Sequence, residues 1–164
     1  MEEYGKILKK KDGLYTLELY SFNKFCNYGT IMKEQYDLGF TQVIVNTELM
    51  LNIAENMLIN NWTLIKVEID DPSVDKDTEE EISNLVELIK SNVLNFNQLK
   101  SFLEWALDDG SIFIDKLKLG ISLDEKIVFC EINSNGLIYG NDNELVFSMF
   151  IKEPIEEYLN GPKL

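Results

Sequence analysis

"EKIVFCEINSNGLIYG", residues 125–140, is the stretch that decides the fold class of this chain. Apolar and polar residues alternate on both sides of Asn135-Gly136, and a period of two is typical of strands with one buried face. Asn-Gly is a favoured pair for the turn of a hairpin, because its central positions require positive φ angles. Residues 125–140 therefore predict an antiparallel hairpin.

The alternation continues on both sides of this hairpin. Leu117, Leu119 and Ile121 share one phase and Ile112 and Ile114 the other, which predicts a break near Asp115-Lys116. Downstream, "NELVFSMFIK" (residues 143–152) is predicted as a further strand. Residues 4–22, "YGKILKKKDGLYTLELYSF", predict a second hairpin that turns at Asp12-Gly13.

The central part of the chain mixes strands and helices. Residues 41–47, "TQVIVNT", predict a short buried strand, and residues 62–70, "WTLIKVEID", alternate as a strand does, with residues 63, 65, 67 and 69 on one side. Helical spacing of apolar residues predicts helices over 48–61, from about 79 to 93, and over 96–108. Asn46 or Thr47 is expected to cap the first of these helices and Asn95 the third.

Pro154 is expected to open a short closing helix that Gly161 ends, whereas residues 22–40 give no clear assignment. Together these elements predict an α+β fold over residues 1–164 as a single globular domain. Its antiparallel sheet is built from the N-terminal hairpin and a C-terminal meander, and three to four helices pack on it.

The charge of the chain restricts its chemistry. The sequence has 29 acidic residues against 15 basic ones, a net charge of −14, and every basic residue is lysine. Histidine, the commonest general acid or base, and arginine, the bidentate ligand for phosphate, are both absent. We therefore expect no Ser-His-Asp or Cys-His catalysis and no direct binding of nucleic acid.

Other features indicate a cytoplasmic protein without a cofactor. No stretch reaches the roughly 20 apolar residues that would span a membrane, and the start of the chain does not have the layout of a signal peptide. Cys26 and Cys130 lie in apolar surroundings and are expected to be buried thiols rather than a disulfide. No phosphate-binding glycine loop is present.

An acidic run, "EIDDPSVDKDTEEE" at residues 68–81, holds eight carboxylates and one lysine, which is half of the net charge. Its spacing does not match a calcium loop, so no metal site is expected. Thr78 and Glu81 form a capping box at the start of a helix, which accounts for Glu79 to Glu81. Asp70, Asp71, Asp75 and Asp77 are expected in the loop before that helix and are left without a local explanation.

Trp105 is a second feature that indicates a surface for binding a partner. Trp105 lies about 140° from the centre of the apolar stripe of its helix, on the face that also carries Gln98, Ser101, Asp108 and the following Asp109. An exposed tryptophan among acids is typical of an anchor for a basic partner. The alternative is that a second layer, such as the N-terminal hairpin, covers Trp105.

The leading hypothesis is a non-enzymatic inhibitor that binds a basic, nucleic-acid-handling protein, such as a nuclease or nucleoprotein. Toxin-immunity proteins, antitoxins and phage anti-defence proteins are of this kind. The acidic run has a charge density of the order of that of DNA, with one phosphate per about 3.4 Å of each strand, so the protein would act in part as a nucleic-acid mimic. The alternatives are a structural or adaptor module of a phage or secretion system, and a metal-dependent enzyme that uses carboxylates.

Overall fold

The computed structural model of the chain describes residues 4–20, 27–69, 76–108 and 113–160. Its strands are β1 (Tyr4–Lys9), β2 (Tyr15–Tyr20), β3 (Thr41–Gln42), β4 (Thr63–Glu68), β5 (Lys116–Leu123), β6 (Lys126–Asn133) and β7 (Leu137–Gly140). All pair antiparallel in one sheet, in the order β2-β1-β7-β6-β5-β4, while β3 pairs with the end of β1. The N-terminal hairpin and the C-terminal meander thus join at β1 and β7, and the predicted α+β class is confirmed.

The helices are α1 (Tyr28–Asp37), α2 (Thr47–Ile59), α3 (Lys76–Ser91), α4 (Phe96–Asp108), α5 (Asn143–Val146) and α6 (Lys152–Asn160). A π-helical segment, Phe147–Ile151, connects α5 to α6, and the three together form a continuous C-terminal helix. Counted in this way, the described residues contain five helices, against the three to four that the sequence predicts.

The helices lie on both faces of the sheet. Residues from α2, α3, α4 and the C-terminal helix form one core with Ile7, Leu119 and Cys130 of the sheet. Because side chains alternate along a strand, Lys6 and Leu8 point to the opposite face. There the Lys6 ammonium lies 5.3 Å from the centre of the Tyr28 ring of α1. Helix α1 therefore covers the face opposite the core.

Both predicted hairpin turns are confirmed. Gly13 and Gly136 have φ angles of +87° and +83°, which glycine adopts at little cost. At Gly136 a Cβ atom would also overlap the carbonyl oxygen of Val43. The turn after β6 is thus fixed by glycine for two reasons, its dihedral angle and its close contact with a neighbouring backbone.

Two segments differ from their predictions in the first half of the chain. Residues 27–40, left unassigned, contain α1, which begins after Asn27 because the Asn27 side chain accepts a 2.9 Å hydrogen bond from Thr30 N. The predicted strand over 41–47 is reduced to Thr41–Gln42, although Val43 and Val45 beyond it are buried. Val45 N instead donates to the Ser134 carbonyl at 2.8 Å, so burial there does not require a strand.

The predicted alternation over residues 62–70 is interrupted. A register shift between Leu64 and Lys66 marks a bulge in the pairing of β4 with β5, and a bulge adds one residue to one strand. Trp62 and Leu64 are buried before the bulge, whereas Val67 packs against the core after it. The core-facing phase therefore changes within β4, which simple alternation cannot predict.

The caps and edges of the middle elements are partly as predicted. Asn46 caps α2 by accepting from Leu49 N at 2.8 Å, and β5 begins at Lys116, where the break is predicted. Asn95 does not take the expected capping role among the described hydrogen bonds, because its Oδ1 accepts from the Gln98 side chain at 3.5 Å and its Nδ2 donates to the Leu88 carbonyl at 2.8 Å. Asn92 caps the 3-10 turn Val93–Asn95, which comes before α4.

The predicted strand over residues 143–152 is wrong, because these residues belong to the C-terminal helix. The buried residues Val146, Phe147, Phe150 and Ile151 follow the spacing i, i+1, i+4, i+5 of a helical face, whereas Met149 is 60% exposed. A short apolar run fits a strand or a buried helix equally well by periodicity alone. Packing against α2 and Trp62 gives this run its helical form.

Pro154 lies inside the C-terminal helix and does not open it as predicted. A proline has no N–H, so the carbonyl four residues earlier, that of Phe150, loses its helical donor. The Asn56 side chain of α2 donates to this carbonyl at 3.0 Å. A tertiary hydrogen bond thus replaces the one that Pro154 removes, and the helix continues through it.

Candidate partner-binding surface

The first turns of α3 gather four of the five acidic residues that the structure describes from the run at 68–81. Helix α3 begins at Lys76, two residues before the predicted cap at Thr78, so Asp77 lies in its first turn rather than in a loop. Asp77, Glu79, Glu80 and Glu81 are all exposed. The positive end of the helix dipole favours carboxylates there by about 0.3–1 kcal/mol each, which accounts for Asp77 as well as for the glutamates.

The other aspartates of the predicted site are less informative. Asp70, Asp71, Asp75 and Asp109 lie outside the described residues, and Asp108 is the last residue of α4. Their assignment to a partner-binding site stays a prediction from the sequence.

Glu68, the first acid of the run, is engaged by lysines. Its carboxylate lies 2.7 Å from Lys66 Nζ and 3.7 Å from Lys116 Nζ. The hydrogen bond from Lys66 lowers the pKa of Glu68 below its usual value. Because two ammonium groups offset its charge, Glu68 adds little to the acidic surface.

Trp105 is 69% exposed on α4, whose opposite side buries Leu99 and Leu103. Of the two alternatives that the sequence leaves open, the structure therefore favours exposure, and the N-terminal hairpin does not cover this ring. An exposed indole loses water readily when a partner covers it and attracts cations through its face.

The pairing of α3 with α4 brings Trp105 to the acidic end of α3. The two helices contact each other and are joined by the 3-10 turn Val93–Asn95, and helices joined by so short a connection typically pack antiparallel. Trp105 lies nine residues after Phe96, and Ile82 lies nine residues before Ser91, which is about 13.5 Å along each helix. Helical spacing therefore predicts that Trp105 lies level with the second turn of α3, around Ile82.

We call this end of the α3–α4 pair the acid–tryptophan surface. It consists of Asp77, Glu79, Glu80, Glu81, Glu104 and Trp105, all of them exposed. Glu79 also lines an open groove of about 500 Å³ between β4 and α3, together with Ser83 and Asp115. The surface thus combines an aromatic anchor, carboxylates and an adjacent recess.

Cysteines and clusters of carboxylates are the other groups of this chain that could carry chemistry. Cys130 is a free thiol in the core, and burial raises its pKa, so it is held neutral and away from solvent. The prediction of a buried thiol is confirmed for Cys130, whereas Cys26 lies outside the described residues. Within the described ranges, no group of three or more His, Cys, Asp or Glu side chains is arranged to hold a metal ion.

Lys6 is a buried cation that the sequence analysis did not single out. Its ammonium donates to the Asn135 carbonyl oxygen and faces the Tyr28 ring, and burial lowers its pKa to about 8. The available signal was the alternation of β1, which places Lys6 on the same face as the buried Leu8. Lys6 therefore fastens β1 to the turn between β6 and β7.

Lys6 gives the stability of the protein a specific dependence on pH. Because its pKa is lower in the folded chain than the ordinary value of 10.5, the unfolded chain binds the proton more tightly and stability rises with pH between about 8 and 10.5. We expect the free energy of unfolding of wild type, relative to that of Lys6→Met, to rise by about 2 kcal/mol between pH 7 and pH 9.5. Urea unfolding of both proteins measures this difference.

Comparing the two proteins removes the contributions that they share. Burial raises the pKa of Cys130, which lies away from Lys6, so this thiol lowers stability at high pH in wild type and in Lys6→Met alike. A difference in the free energy of unfolding between the two proteins that stays constant from pH 7 to pH 9.5 would show that burial does not lower the pKa of Lys6.

Among the helices that the structure describes, none has the length and apolar character needed to cross a membrane. No protein-family model, no curated protein and no solved structure matches the chain.

Proposed function

We propose that this protein is a non-enzymatic inhibitor that binds and neutralises a basic, nucleic-acid-handling protein. The observation that carries the proposal is the exposed Trp105 on α4, a helix that contacts α3, whose first turns carry exposed carboxylates. The function is of the toxin-immunity, antitoxin or phage anti-defence kind, with a nuclease or nucleoprotein as the partner.

The residue types of the acid–tryptophan surface support a protein partner. Tryptophan is enriched among the residues that contribute most to protein–protein affinity, and these residues lie in patches from which water is excluded. Carboxylates around such an anchor fit the lysine and arginine side chains of a basic partner and oppose the approach of acidic proteins. The surface therefore favours partners by charge and anchors them by an aromatic ring.

The charge density supports a partner that normally binds nucleic acid. Asp77, Glu79, Glu80 and Glu81 place four carboxylates on five residues of helix, a length of about 7.5 Å. DNA carries one phosphate per about 3.4 Å of each strand, so the acidic end of α3 has a comparable density of charge. A basic groove that holds phosphates can accept these carboxylates in their place.

Binding of this kind should be fast and sensitive to salt. With a net charge of −14 the protein attracts a basic partner over distances of the order of the Debye length, about 8 Å at physiological ionic strength. We expect the quadruple variant Asp77→Asn, Glu79→Gln, Glu80→Gln, Glu81→Gln to associate at least about tenfold more slowly with the partner at low salt. The difference should shrink as salt rises.

The experiment begins with affinity capture of the partner by the immobilised full chain from cells of its source. Association rates of the purified partner are then measured at about 50 and 300 mM salt. A control with the same net charge carries four changes elsewhere, Glu34→Gln, Asp37→Asn, Asp124→Asn and Glu125→Gln, all at exposed residues. The proposal is overturned if the quadruple variant and the control behave alike, or if the captured partner is acidic and its binding insensitive to salt.

A further inference from the structure

A second groove lies between α2 and the C-terminal helix. It has a volume of about 590 Å³, and its lining includes Asn52, Glu55 and Ile59 of α2 and Glu153, Glu157 and Tyr158 of α6. The sequence analysis did not single it out, because its two walls are distant in sequence and carry no dense acidic run. The groove belongs to neither the acid–tryptophan surface nor the recess beside α3.

Tertiary hydrogen bonds hold the walls of this groove in place. At one end Tyr158 Oη donates to Glu48 Oε2 at 3.2 Å and accepts from Asn46 Nδ2 at 3.0 Å. Further along, Asn56 Nδ2 donates to the Phe150 carbonyl, whose helical donor Pro154 removes. The groove is thus formed before any partner arrives, which reduces the entropy lost on binding.

The groove is acidic along its length. Glu153 and Glu157 are one helical turn apart on α6, about 6 Å along the axis, and Glu55 lies on the opposite wall. Helices α2 and α6 together carry five glutamates and one lysine. Lys100 of α4 lies 3.4 Å from Glu55 and offsets part of this charge. What remains is a row of carboxylates that suits several cationic side chains of one polypeptide.

Ile59 adds an apolar contact to these charges. It is 70% exposed at the last turn of α2 and lines the same groove. A groove between two helices that offers both an apolar side chain and flanking charges fits an amphipathic helix, which is recognised through residues at i, i+3, i+4 and i+7. The walls, 52–59 and 153–158, are long enough to contact about two turns of such a helix.

We propose that this groove binds a cationic amphipathic helix of the partner protein. The identity of the occupant as part of a basic partner rests on the proposed function. A second copy of this chain is disfavoured because it would bring another charge of −14, and a nucleic acid because its phosphates would face Glu55, Glu153 and Glu157. A helix with lysine or arginine on its flanks and an apolar centre satisfies both the carboxylates and Ile59.

The position of the groove agrees with a partner that covers more than one helix. Lys100 joins α4 to α2 through Glu55, and α4 also carries Trp105. Because α2, α3, α4 and the C-terminal helix share the core on one face of the sheet, both surfaces belong to the helical layer. One basic partner can therefore contact the acid–tryptophan surface and place a helix in the groove.

The test uses the full chain labelled with ¹⁵N and a synthetic 14-residue helical peptide of leucine and lysine, with the two residue types on opposite faces. We expect the peptide to shift the backbone amide signals of residues 52–59 and 153–158. The triple variant Glu55→Gln, Glu153→Gln, Glu157→Gln should weaken its binding at least tenfold. A charge-matched control, Glu34→Gln, Asp37→Asn, Glu125→Gln, should change the dissociation constant by less than about threefold.

Two further measurements make the result decisive. Ile59→Ser tests the apolar contact. Because Ile59 is exposed, we expect the fold to be preserved and the peptide to bind severalfold more weakly. A peptide of the same composition with the two residue types mixed along the helix should bind more weakly than the segregated one. Shifts confined to residues 76–81 and 104–105, or a triple variant that binds as the control does, would overturn the proposal.

The outcomes also separate this proposal from the proposed function. If the peptide binds in the groove but no basic partner is captured, the groove assignment holds and the inhibitor function fails. If a basic partner binds through Trp105 while the groove variants affect neither peptide nor partner, the inhibitor function holds and the groove assignment fails.

Discussion

Phe150→Ala is expected to lower the free energy of unfolding by about 3–5 kcal/mol, the largest effect that we predict for stability. Phe150 is only 8% exposed, and its ring meets that of Trp62 edge to face with centroids 5.4 Å apart. Removing the ring leaves a cavity beside Trp62, where the C-terminal helix contacts α2. Urea unfolding followed by circular dichroism measures the loss.

Met149→Ala is the matched control for Phe150→Ala. In a strand, residues 147, 149 and 151 would share one face, whereas in the helix Phe150 is buried and Met149 is exposed. We expect Met149→Ala to change stability by less than about 0.5 kcal/mol. A large loss for Met149→Ala with a small loss for Phe150→Ala would support the strand and contradict the helix.

Trp105→Ala is expected to weaken binding of the basic partner at least about 30-fold, or roughly 2 kcal/mol. The indole is exposed in the free protein, so its loss removes contact area in the complex without opening a cavity in the fold. Isothermal calorimetry with the purified partner measures the dissociation constant, and urea unfolding checks that the stability of the variant is unchanged.

Leu94→Ala provides the control for Trp105→Ala. Leu94 is 74% exposed in the turn at the opposite end of the α3–α4 pair, so it tests the loss of an exposed apolar side chain away from the acids. We expect less than a threefold change in the dissociation constant for Leu94→Ala, and partial recovery for Trp105→Phe. Equal effects of Leu94→Ala and Trp105→Ala would place the interface elsewhere.

The parts of the fold that could be predicted are those that depend on local chemistry. Asp12-Gly13 and Asn135-Gly136 require turns whatever surrounds them, because of the dihedral angles that glycine allows. The apolar stripes of α2, α3 and α4 and the cap at Asn46 likewise depend on residues three or four positions apart. These features fixed the α+β class correctly.

The parts that could not be predicted depend on contacts between distant residues. Nothing near residue 154 reveals that Asn56 supplies the hydrogen bond that Pro154 removes, so the sequence favours a strand and a separate closing helix. The bulge in β4 could not be predicted either, because it is defined by the pairing of Leu64 and Lys66 with β5. The groove between α2 and α6 exists only after the chain has folded.

The candidate site also has features that local sequence predicts and features that depend on tertiary contacts. Helical spacing places Trp105 on the outer face of α4 but leaves open whether a second layer covers it, and the structure shows it exposed. The prediction that Asp77 lies in a loop is wrong, because α3 begins two residues earlier than expected. Helix boundaries are uncertain by a few residues, which is enough to move an acid from a loop into a first turn. Lys6 and Glu68 show that the role of a charge depends on its tertiary neighbours.

The pairing of β1 with β7 has a consequence for biosynthesis. Residues 4–6 pair with residues 137–139, so the first of the described strands waits for the last of them. Contacts between distant residues slow folding, and until β7 emerges residues 4–6 of β1 have an unpaired edge that can associate with other chains. A nascent chain interrupted before residue 137 would keep the acidic start of α3 but would lack the strand that joins the two halves of the sheet, so we expect truncated products to aggregate.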